Sequence, residues 1–329
     1  MLILTADEVR KALPMKDTIE AMKRAYASLS DGKAEVPLRT RLSVPPQDAV
    51  SLFMPAYVQA EGGDALAVKV VSLFPGNPER GLAFIQAAVL VLEADTGRPV
   101  ALLEGSSLTA IRTGAGSGAA IDVLSRPESR SVAVFGAGAQ GRTQLEAACS
   151  VRAIEQAWVF DPSVERAEAM VEEMSGTGPV PEKLRVATSG EQAVSEADII
   201  CTATTSTSPV FSDDLIKSGV HVSAIGSYTP EMQEVPAETV ARALVVVDSR
   251  SATLAETGDL LQPMQAGLFG AEHIHAELGE VLLGRKTGRQ SADQVTYFKS
   301  VGVAVQDAMA AQLALQNAQR MGLGTEIPF

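Results

Sequence analysis

Residues 132–141 read VAVFGAGAQG, and this stretch says the most about the fold. An apolar run of β-type residues ends at position 135, glycines follow at positions 136, 138 and 141, and a helical pattern begins directly after them. Strand, glycine-rich turn and helix in this order are typical of a turn that holds a dinucleotide pyrophosphate. We therefore expect the turn to contact a cofactor through Gly136, Ala137, Gly138, Ala139, Gln140 and Gly141. For Gln140, a solvated surface position is an equally open alternative.

The segment that follows position 131 alternates near-continuous apolar strands with amphipathic helices. Such alternation predicts an α/β fold with a parallel, doubly wound sheet. The segment before residue 105 differs, because its strands alternate apolar and polar positions and are separated by Pro and Gly. That pattern predicts a mixed or antiparallel sheet in an α+β domain.

A small-residue helix at 107–124 connects the two patterns, and a helix from about Ser300 to Met321 closes the chain. The closing helix lies beyond the parallel sheet, so we expect it to pack back on the first domain. The expected division is a discontinuous α+β domain, residues 1–118 with 303–329, and a dinucleotide-binding Rossmann domain at residues 119–302.

The composition excludes several classes of protein. A formal net charge of −13 argues against nucleic acid or an anionic membrane surface as a partner. Cys149 and Cys201 are the only cysteines, and neither they nor the three histidines have the spacing of a metal site, so no metal is expected. No apolar run is long enough to span a membrane, and the first residues lack the pattern of a secretory signal. We therefore expect a cytoplasmic protein.

The predicted second strand of the Rossmann domain ends at Asp161, 25 residues after Gly136. This spacing is close to the roughly 20 residues expected for the acid that binds the adenosine ribose. A carboxylate there accepts hydrogen bonds from ribose hydroxyls and repels a 2′-phosphate, so NAD(H) is favoured, with NADP(H) as the alternative. Thr202 ends the predicted fourth strand at the same sheet edge, where it is a candidate contact of the nicotinamide.

The sequence has no His-based hydride-transfer pair and no nucleophile motif, but it places basic residues where solvated ones are not expected. Lys69 lies in the apolar strand LAVKVVSLF, Arg41 in the strand RTRLSV, and Arg112 near the start of the small-residue helix. A lysine in such a strand is also explained by an edge position or a snorkelling side chain. Together, however, the three cations in an acidic protein indicate a pocket for a carboxylate.

With these residues the chain resembles the ornithine cyclodeaminase/mu-crystallin family along almost its full length. The matching stretches are MPAY (54–57), VKVV (68–71), DTG (95–97), TAIRTGAGSG (109–118), FGAGAQG (135–141), ADIICTATT (197–205), AIGSYTPEMQE (224–234) and FKSVGVAVQD (298–307).

The resemblance implies reversible hydride transfer between a nicotinamide and the α-carbon of an amino or imino acid. It also implies a homodimer in which the first domain forms the interface and carries the substrate site. By position, Arg41, Lys69 and Arg112 match the family's substrate-carboxylate group, and Arg112 also reaches toward the cofactor. The matching cofactor contacts are Ala139, Gln140, Asp161, Thr202 and Ser300.

Two departures bear on the reaction. Cyclodeaminases place an acidic residue where this chain has Tyr228, and a hydroxyl residue where it has Phe84. Without that acid, expulsion of ammonia from ornithine loses its acid/base group. We therefore expect an NAD(P)H-dependent reductase that acts on a small cyclic imino acid, with Tyr228 beside the substrate and Lys69 and Arg112 as catalytic residues. The alternatives are an ornithine cyclodeaminase, an enzyme like alanine dehydrogenase, and a non-catalytic binder of cofactor or ligand.

Overall fold

The structure is a computed structural model that describes residues 1–60 and 62–328. It divides the chain into the N-terminal unit, Met1–Arg112 with Val303–Phe329, and the central unit, Thr113–Gly302. The first division falls six residues before the expected limit at 118/119, within the same helix, and the second falls at 302/303. The functions expected of the two domains stay predictions.

The N-terminal unit begins with a series of strands. They are β1 (Leu2–Leu4), β2 (Ala34–Glu35), β3 (Thr40–Val44), β4 (Ala49–Val58), β5 (Ala65–Leu73), β6 (Ile85–Leu92) and β7 (Pro99–Glu104). Helices α1 (Ala6–Ala12) and α2 (Met15–Ser30) follow β1, and short 3-10 helices lie at Pro45–Gln47 and Pro78–Arg80. Helix α3 (Gly105–Leu124) then leads into the central unit.

The central unit alternates strands and helices. The strands are β8 (Ser131–Phe135), β9 (Gln156–Phe160), β10 (Leu184–Val186), β11 (Ile199–Thr202), β12 (His221–Ala224), β13 (Leu244–Val247), β14 (Ile274–Glu277) and β15 (Thr296–Lys299). The helices are α4 (Ala139–Val151), α5 (Val164–Met174), α6 (Gly190–Ser195), α7 (Ala237–Arg242), α8 (Arg250–Glu256), α9 (Gly258–Gln265) and α10 (Leu278–Leu282), with 3-10 turns at Asp213–Leu215 and Ala271–His273. The chain returns to the N-terminal unit through α11 (Ala304–Met321) and β16 (Thr325–Glu326).

The sheet of the N-terminal unit is mixed. Its strand order is β16-β1-β7-β6-β5-β4-β2, with β3 also paired to β4. Only β1 and β7 run parallel among the described strands of this sheet. Alternate residues of β5 are buried, from Ala65 to Val71, because α11 packs on that face of β4 and β5 and α2 packs on α11. The closing helix therefore does pack on the first sheet, as expected.

The opposite face of this sheet is apolar but only partly buried. The side chains on it include Phe53, Tyr57, Leu66, Val68, Val70, Leu90, Leu92 and Leu102. A sheet that is covered on one side and apolar on the other has a face available for a further layer.

The sheet of the central unit is parallel, with strand order β10-β9-β8-β11-β12-β15-β13-β14. All five residues of β8 are buried, and separate apolar clusters fill the two faces of the sheet. This confirms the predicted doubly wound α/β fold. Strands β14 and β15 were not predicted, although β15 lies between β12 and β13.

The glycines of α3 allow a close approach within the central unit. A Cβ built on Gly114 would lie 2.5 Å from the carbonyl oxygen of Thr143 on α4. A side chain there is therefore incompatible with this helix contact, and the cost in helix propensity is offset by packing.

Candidate functional site

The glycine turn of the central unit follows β8, at the carboxyl edge of the parallel sheet. Gly136 has φ +97°, and a Cβ on it would lie 2.5 Å from the carbonyl oxygen of Ala203. A Cβ on Gly141 would lie 1.9 Å from the carbonyl oxygen of Gly136. The fold itself therefore requires glycine at both positions.

Gly138 is different, because the fold does not require glycine there. Its φ of −81° suits any residue, and a Cβ on it would meet no atom within 4 Å. Helix α4 begins at the next residue, and the first N–H groups of a helix have no partner within it. Open space around the Gly138 Cβ position, next to such N–H groups, suits a pyrophosphate, and its contact with this turn stays a prediction.

Asp161 lies directly after β9 and beside this turn. Its Oδ2 accepts a hydrogen bond from the Ala137 N–H at 2.9 Å, and its Oδ1 accepts one from the Ser163 N–H at 2.9 Å. Arg166 Nη2 is 3.4 Å from Oδ1. The carboxylate is thus fixed to the glycine turn and keeps lone pairs for further donors. Its contact with a ribose stays a prediction.

The other predicted cofactor contacts lie in the same unit in different environments. Ala139 is exposed, and Gln140 is partly buried with its Oε1 lacking a hydrogen-bond partner among the described residues. Thr202 is buried and donates through Oγ1 to Glu234 Oε2 at 3.0 Å. Ser300 is buried and donates through Oγ to Asp248 Oδ2 at 2.7 Å. Since both hydroxyl hydrogens are engaged, these two hydroxyls are left to act as acceptors.

A buried carboxylate that the sequence did not single out joins the ends of two strands. Glu234 Oε1 accepts from Thr204 N at 2.6 Å and Oγ1 at 2.8 Å. Its Oε2 accepts from Gly226 N at 2.7 Å and Ser227 N at 3.1 Å, besides Thr202 Oγ1. Burial raises the pKa of Glu234, while the Lys299 ammonium opposes that rise. Glu234 therefore fixes the segments after β11 and β12.

Glu234 belongs to a set of three buried charges, Glu234, Asp259 and Lys299, which we name the Glu234 cluster. Lys299 Nζ lies 3.0 Å from Asp259 Oδ2. Asp259 Oδ1 accepts from the backbone N–H groups of Glu234 and Val235 at 2.7 and 3.2 Å. The cluster has one more negative than positive charge, and backbone donors satisfy the excess.

Tyr228 lies on the segment that Glu234 fixes, next to Ser227. It is 40% exposed, and partial burial raises the pKa of its phenol. At neutral pH the side chain is an uncharged hydrogen-bonding group. Tyr228 therefore supplies no negative charge here, and its place beside the substrate stays a prediction.

Three buried charges meet in the N-terminal unit, and we name them the Lys69 cluster: Lys69 on β5, Arg112 on α3 and Asp307 on α11. Lys69 Nζ lies 2.7 Å from Asp307 Oδ2, and Arg112 Nε donates to Asp307 Oδ1 at 2.9 Å. Arg112 Nη1 also donates to Gln306 Oε1 at 3.0 Å. The structure therefore brings together two of the three predicted substrate-binding cations.

The Lys69 cluster has one more positive than negative charge. Lys69 is 2% exposed, and burial lowers its pKa to about 8; Asp307 opposes this shift, while Arg112 and Arg39 add to it. A buried cation without a full counter-charge is costly. An anion that binds beside Lys69 and Arg112 relieves this cost, which suits a carboxylate ligand.

The third predicted cation, Arg41, lies exposed on β3 opposite Leu52. The strand register places it on the same face of the sheet as Lys69, which lies opposite Met54. Arg39, two residues earlier, is the arginine whose charge lowers the pKa of Lys69. Binding of a substrate by Arg41 stays a prediction, and Arg39 is a further candidate.

Sequence reasoning missed Arg39, Gln306 and Asp307. The last two lie in FKSVGVAVQD, which was matched to the family without a role for either residue. A signal existed, since this stretch ends in a polar pair at the start of a helix whose following residues are mostly apolar.

Within residues 1–60 and 62–328, no group of three or more His, Cys, Asp or Glu side chains is arranged to hold a metal ion. The histidine rings are engaged by protein oxygens: His221 by Thr296 Oγ1, His273 by the Val240 carbonyl and His275 by the Thr287 carbonyl. Over the same described residues, no helix combines the length and the apolar character needed to cross a membrane.

Comparison with known proteins agrees with this arrangement. The sequence profile of the ornithine cyclodeaminase/mu-crystallin family matches residues 1–322. A Delta(1)-pyrroline-2-carboxylate reductase of Bacillus cereus is 42% identical over 330 residues, with 100% of both chains covered. The solved structure of the Thermococcus litoralis Delta(1)-pyrroline-2-carboxylate reductase in complex with NADH and L-proline is also 42% identical, with a TM-score of 0.93 over 99% of this chain and 100% of the other. An archaeal alanine dehydrogenase dimer with bound NAD is 31% identical, with a TM-score of 0.91 over 100% and 99% of the two chains.

The quoted motifs, the order of the two sheets and similarity over the whole length point to one conclusion. The chain belongs to the ornithine cyclodeaminase/mu-crystallin family.

Proposed function

We propose that the chain is a ketimine reductase that uses NADH to reduce a small cyclic imino acid. The substrate is Δ1-pyrroline-2-carboxylate, giving L-proline, or Δ1-piperideine-2-carboxylate, giving L-pipecolate. The observation that carries the proposal is the Lys69 cluster, in which a buried ammonium and a buried guanidinium share one carboxylate. Its uncompensated positive charge fits the carboxylate that both substrates carry next to the C=N bond. The 42% identity to a Delta(1)-pyrroline-2-carboxylate reductase supports this substrate class.

Each residue of the cluster has a separate role in this proposal. Arg112 binds the substrate carboxylate, with Arg41 as a second predicted ligand. Lys69 donates a hydrogen bond to the ring nitrogen and polarises the C=N bond toward hydride addition at carbon. The nicotinamide, when bound, supplies the hydride. The N-terminal unit thus provides substrate binding and the central unit provides cofactor binding.

We infer that NAD(H) is preferred over NADP(H). Asp161 is a fixed carboxylate beside the glycine turn, and it would repel a 2′-phosphate. The related T. litoralis reductase and archaeal alanine dehydrogenase were solved with NADH and with NAD, respectively, which supports this preference. Use of NADH, a cofactor of the cell interior, also supports a cytoplasmic location.

Tyr228 argues against ornithine as the main substrate. Ornithine carries a second ammonium, and a neutral phenol at this position neither attracts that charge nor exchanges its proton near neutral pH. A compact imine carries no second ammonium, so it needs no acidic residue at this position. The cofactor is therefore consumed once per turnover and is not regenerated within a deamination cycle.

We further propose a homodimer formed through the outer face of the N-terminal sheet. That face carries the partly buried apolar side chains Val68, Val70 and Leu90. Apolar area of this kind is typical of a stable subunit interface. The related archaeal alanine dehydrogenase is a dimer, which supports the same assembly here. Light scattering would detect it, and a Val68→Asp variant should be monomeric.

The experiment that tests the function is a steady-state comparison of substrates. NADH oxidation would be measured with Δ1-pyrroline-2-carboxylate, Δ1-piperideine-2-carboxylate, and pyruvate plus ammonium. Formation of proline and ammonia would be measured with L-ornithine and catalytic NAD. We expect one of the two cyclic imines to give the highest kcat/KM. A higher value with pyruvate plus ammonium would favour an alanine dehydrogenase, and catalytic conversion of ornithine to proline at a comparable rate would overturn the argument from Tyr228.

A further inference from the structure

We propose that Asp307 is a positioning residue for imine reduction, because it fixes the Lys69 ammonium and the Arg112 guanidinium between its two oxygens and keeps the proton on Lys69. The inference rests on the proposed function, which assigns Lys69 to the ring nitrogen and Arg112 to the carboxylate. Asp307 itself contacts neither substrate nor cofactor in this proposal and acts through its two partners.

The geometry of Asp307 suits this role. Each of its oxygens serves one cation, at 2.7 Å for Lys69 and 2.9 Å for Arg112. Its position is set by the first turns of α11, and its neighbour Gln306 is fixed by bonds with the Val303 N–H at 3.0 Å and the Tyr26 hydroxyl at 2.8 Å. Asp307 therefore has a fixed position, and it holds the side chains of Lys69 and Arg112, which lie on other elements.

The charges around Lys69 indicate that Asp307 determines whether the Lys69 ammonium keeps its proton. The strand residues opposite Lys69 are Met54 on β4 and Val89 on β6, and neither carries a charge. Arg112 on α3 and Arg39 before β3 disfavour the ammonium, as does burial, and Asp307 favours it. Among the described residues whose charge acts on Lys69, Asp307 is thus the one that holds the proton.

The proton is needed to balance the reaction. Hydride addition to the imine carbon breaks the C=N π bond and oxidises NADH to NAD⁺. If the imine enters uncharged, the electron pair left on nitrogen takes a proton, which the Lys69 ammonium supplies. Lys69 then regains a proton from water, so the sum is imine plus NADH plus H⁺ giving amine plus NAD⁺. A Lys69 that had lost its proton would support neither polarisation nor proton transfer.

The test is Asp307→Asn, which keeps the shape of the side chain and removes its charge. Two quantities would be measured: the pH dependence of kcat/KM, and the titration of the Lys69 Nζ by NMR with labelled lysine, assigned through its absence in Lys69→Arg. In the wild type both should have a midpoint near the pKa of about 8. In Asp307→Asn both should fall by about 1 to 3 pH units, since a close opposite charge shifts a pKa by that amount. NADH affinity should stay within twofold of the wild-type value.

Two further variants control the test. Asp307→Glu keeps the charge, so its Lys69 midpoint should stay within half a pH unit of the wild-type value even if kcat falls. Asp122→Asn removes a carboxylate that pairs with Arg152 at 2.9 Å in the central unit, and both readouts should be unchanged. An unshifted Lys69 midpoint in Asp307→Asn would overturn the proposal. If Asp307→Asn does not fold, a midpoint in Asp307→Glu lowered by a unit or more would overturn it.

The NMR titration needs no turnover. Failure of the proposed function would appear as inactivity of the wild type toward cyclic imines, with the Lys69 midpoint still dependent on Asp307. The two failures are therefore distinguishable.

Discussion

The two buried charge clusters of this chain are built from similar residues, but their charges are balanced differently. In the Glu234 cluster the excess charge is negative, and backbone N–H groups of Gly226, Ser227 and Thr204 satisfy it. In the Lys69 cluster the excess charge is positive, and the protein supplies only Asp307 and the uncharged amide of Gln306 as close acceptors among the described residues.

This difference in charge balance distinguishes a cluster that supports the fold from a cluster that binds a ligand. A buried charge whose donors are all provided by the protein, from backbone N–H groups and side chains, holds segments in place and needs no ligand. A buried charge left partly uncompensated gains most when an ion of opposite sign arrives. Substitutions in the Glu234 cluster should therefore reduce stability first, and substitutions in the Lys69 cluster should reduce activity first.

The largest expected effect is that of Lys69→Met on activity. This variant removes the proposed donor to the ring nitrogen but leaves Asp307 paired with Arg112, so we expect the fold to be retained. We expect kcat/KM for the cyclic imine to fall by about 10³-fold, within the range for loss of a general acid. Steady-state kinetics and thermal unfolding would be measured together. Lys23→Met, which removes a lysine from a surface pair with Glu20, is the control and should keep full activity. Full turnover by Lys69→Met would remove the catalytic assignment and favour a non-catalytic binder.

Glu234→Gln should show the reverse pattern. The amide replaces an acceptor by a donor that faces other donors, and the charge balance around Lys299 changes. Breaking a buried, hydrogen-bonded charge in this way should lower the free energy of unfolding by about 3 kcal/mol. Urea unfolding measures it. Glu173→Gln, in an exposed pair with Arg142, should change stability by less than about 1 kcal/mol. Equal stability of the two variants would contradict the supporting role of Glu234.

His221 should make the protein sensitive to acid. Burial lowers the pKa of its imidazole to about 3, compared with an ordinary value of 6.5. The folded state keeps the ring neutral while the unfolded state takes up a proton below pH 6.5, so stability is present above that pH and is lost as the pH falls toward 3. Between pH 7 and pH 5 the loss should be about 2 kcal/mol. His221→Asn retains a donor for Thr296 and should lose most of this pH dependence in urea unfolding.

The smallest expected effect concerns the glycine turn. Gly138→Ala places a methyl group in space that no protein atom occupies, so the fold should be unaffected while NADH affinity falls about tenfold, or about 1.4 kcal/mol. Gly141→Ala is the contrasting variant, because its methyl group would collide with the Gly136 carbonyl and should reduce stability. Fluorescence titration measures the affinity for NADH, and thermal unfolding measures the stability of each variant. Unchanged affinity in Gly138→Ala would argue against a pyrophosphate at this position.

The fold was predictable from the sequence wherever structure depends on local pattern. Strand β8 and its glycine turn were found because buried parallel strands are continuous apolar runs and the turn needs particular glycines. Strands β14 and β15 were not found, since IHAE and TYFK mix apolar with polar or charged residues and lack the continuous apolar run that marks β8. Their place in the sheet depends on pairing with β13, which no short window contains.

The site was predictable in part for the same reason. Lys69 and Arg112 attracted attention because a cation in an apolar strand or a small-residue helix is locally unusual. Their partner Asp307 lies 195 residues beyond Arg112, and only the return of α11 to the first sheet brings it to them. Glu234 escaped notice because an acid in a polar loop looks ordinary until the five donors around it are seen.

The most direct test of the central claim, that the Lys69 cluster selects a carboxylate next to a C=N bond, compares two ring imines. NADH oxidation would be measured with Δ1-pyrroline-2-carboxylate and with Δ1-pyrroline, which has the same ring without the carboxylate. Since a site built around a charged group rejects an analogue that lacks it, we expect kcat/KM to favour the carboxylate by about 10⁴-fold. Comparable values for the two imines would contradict the claim.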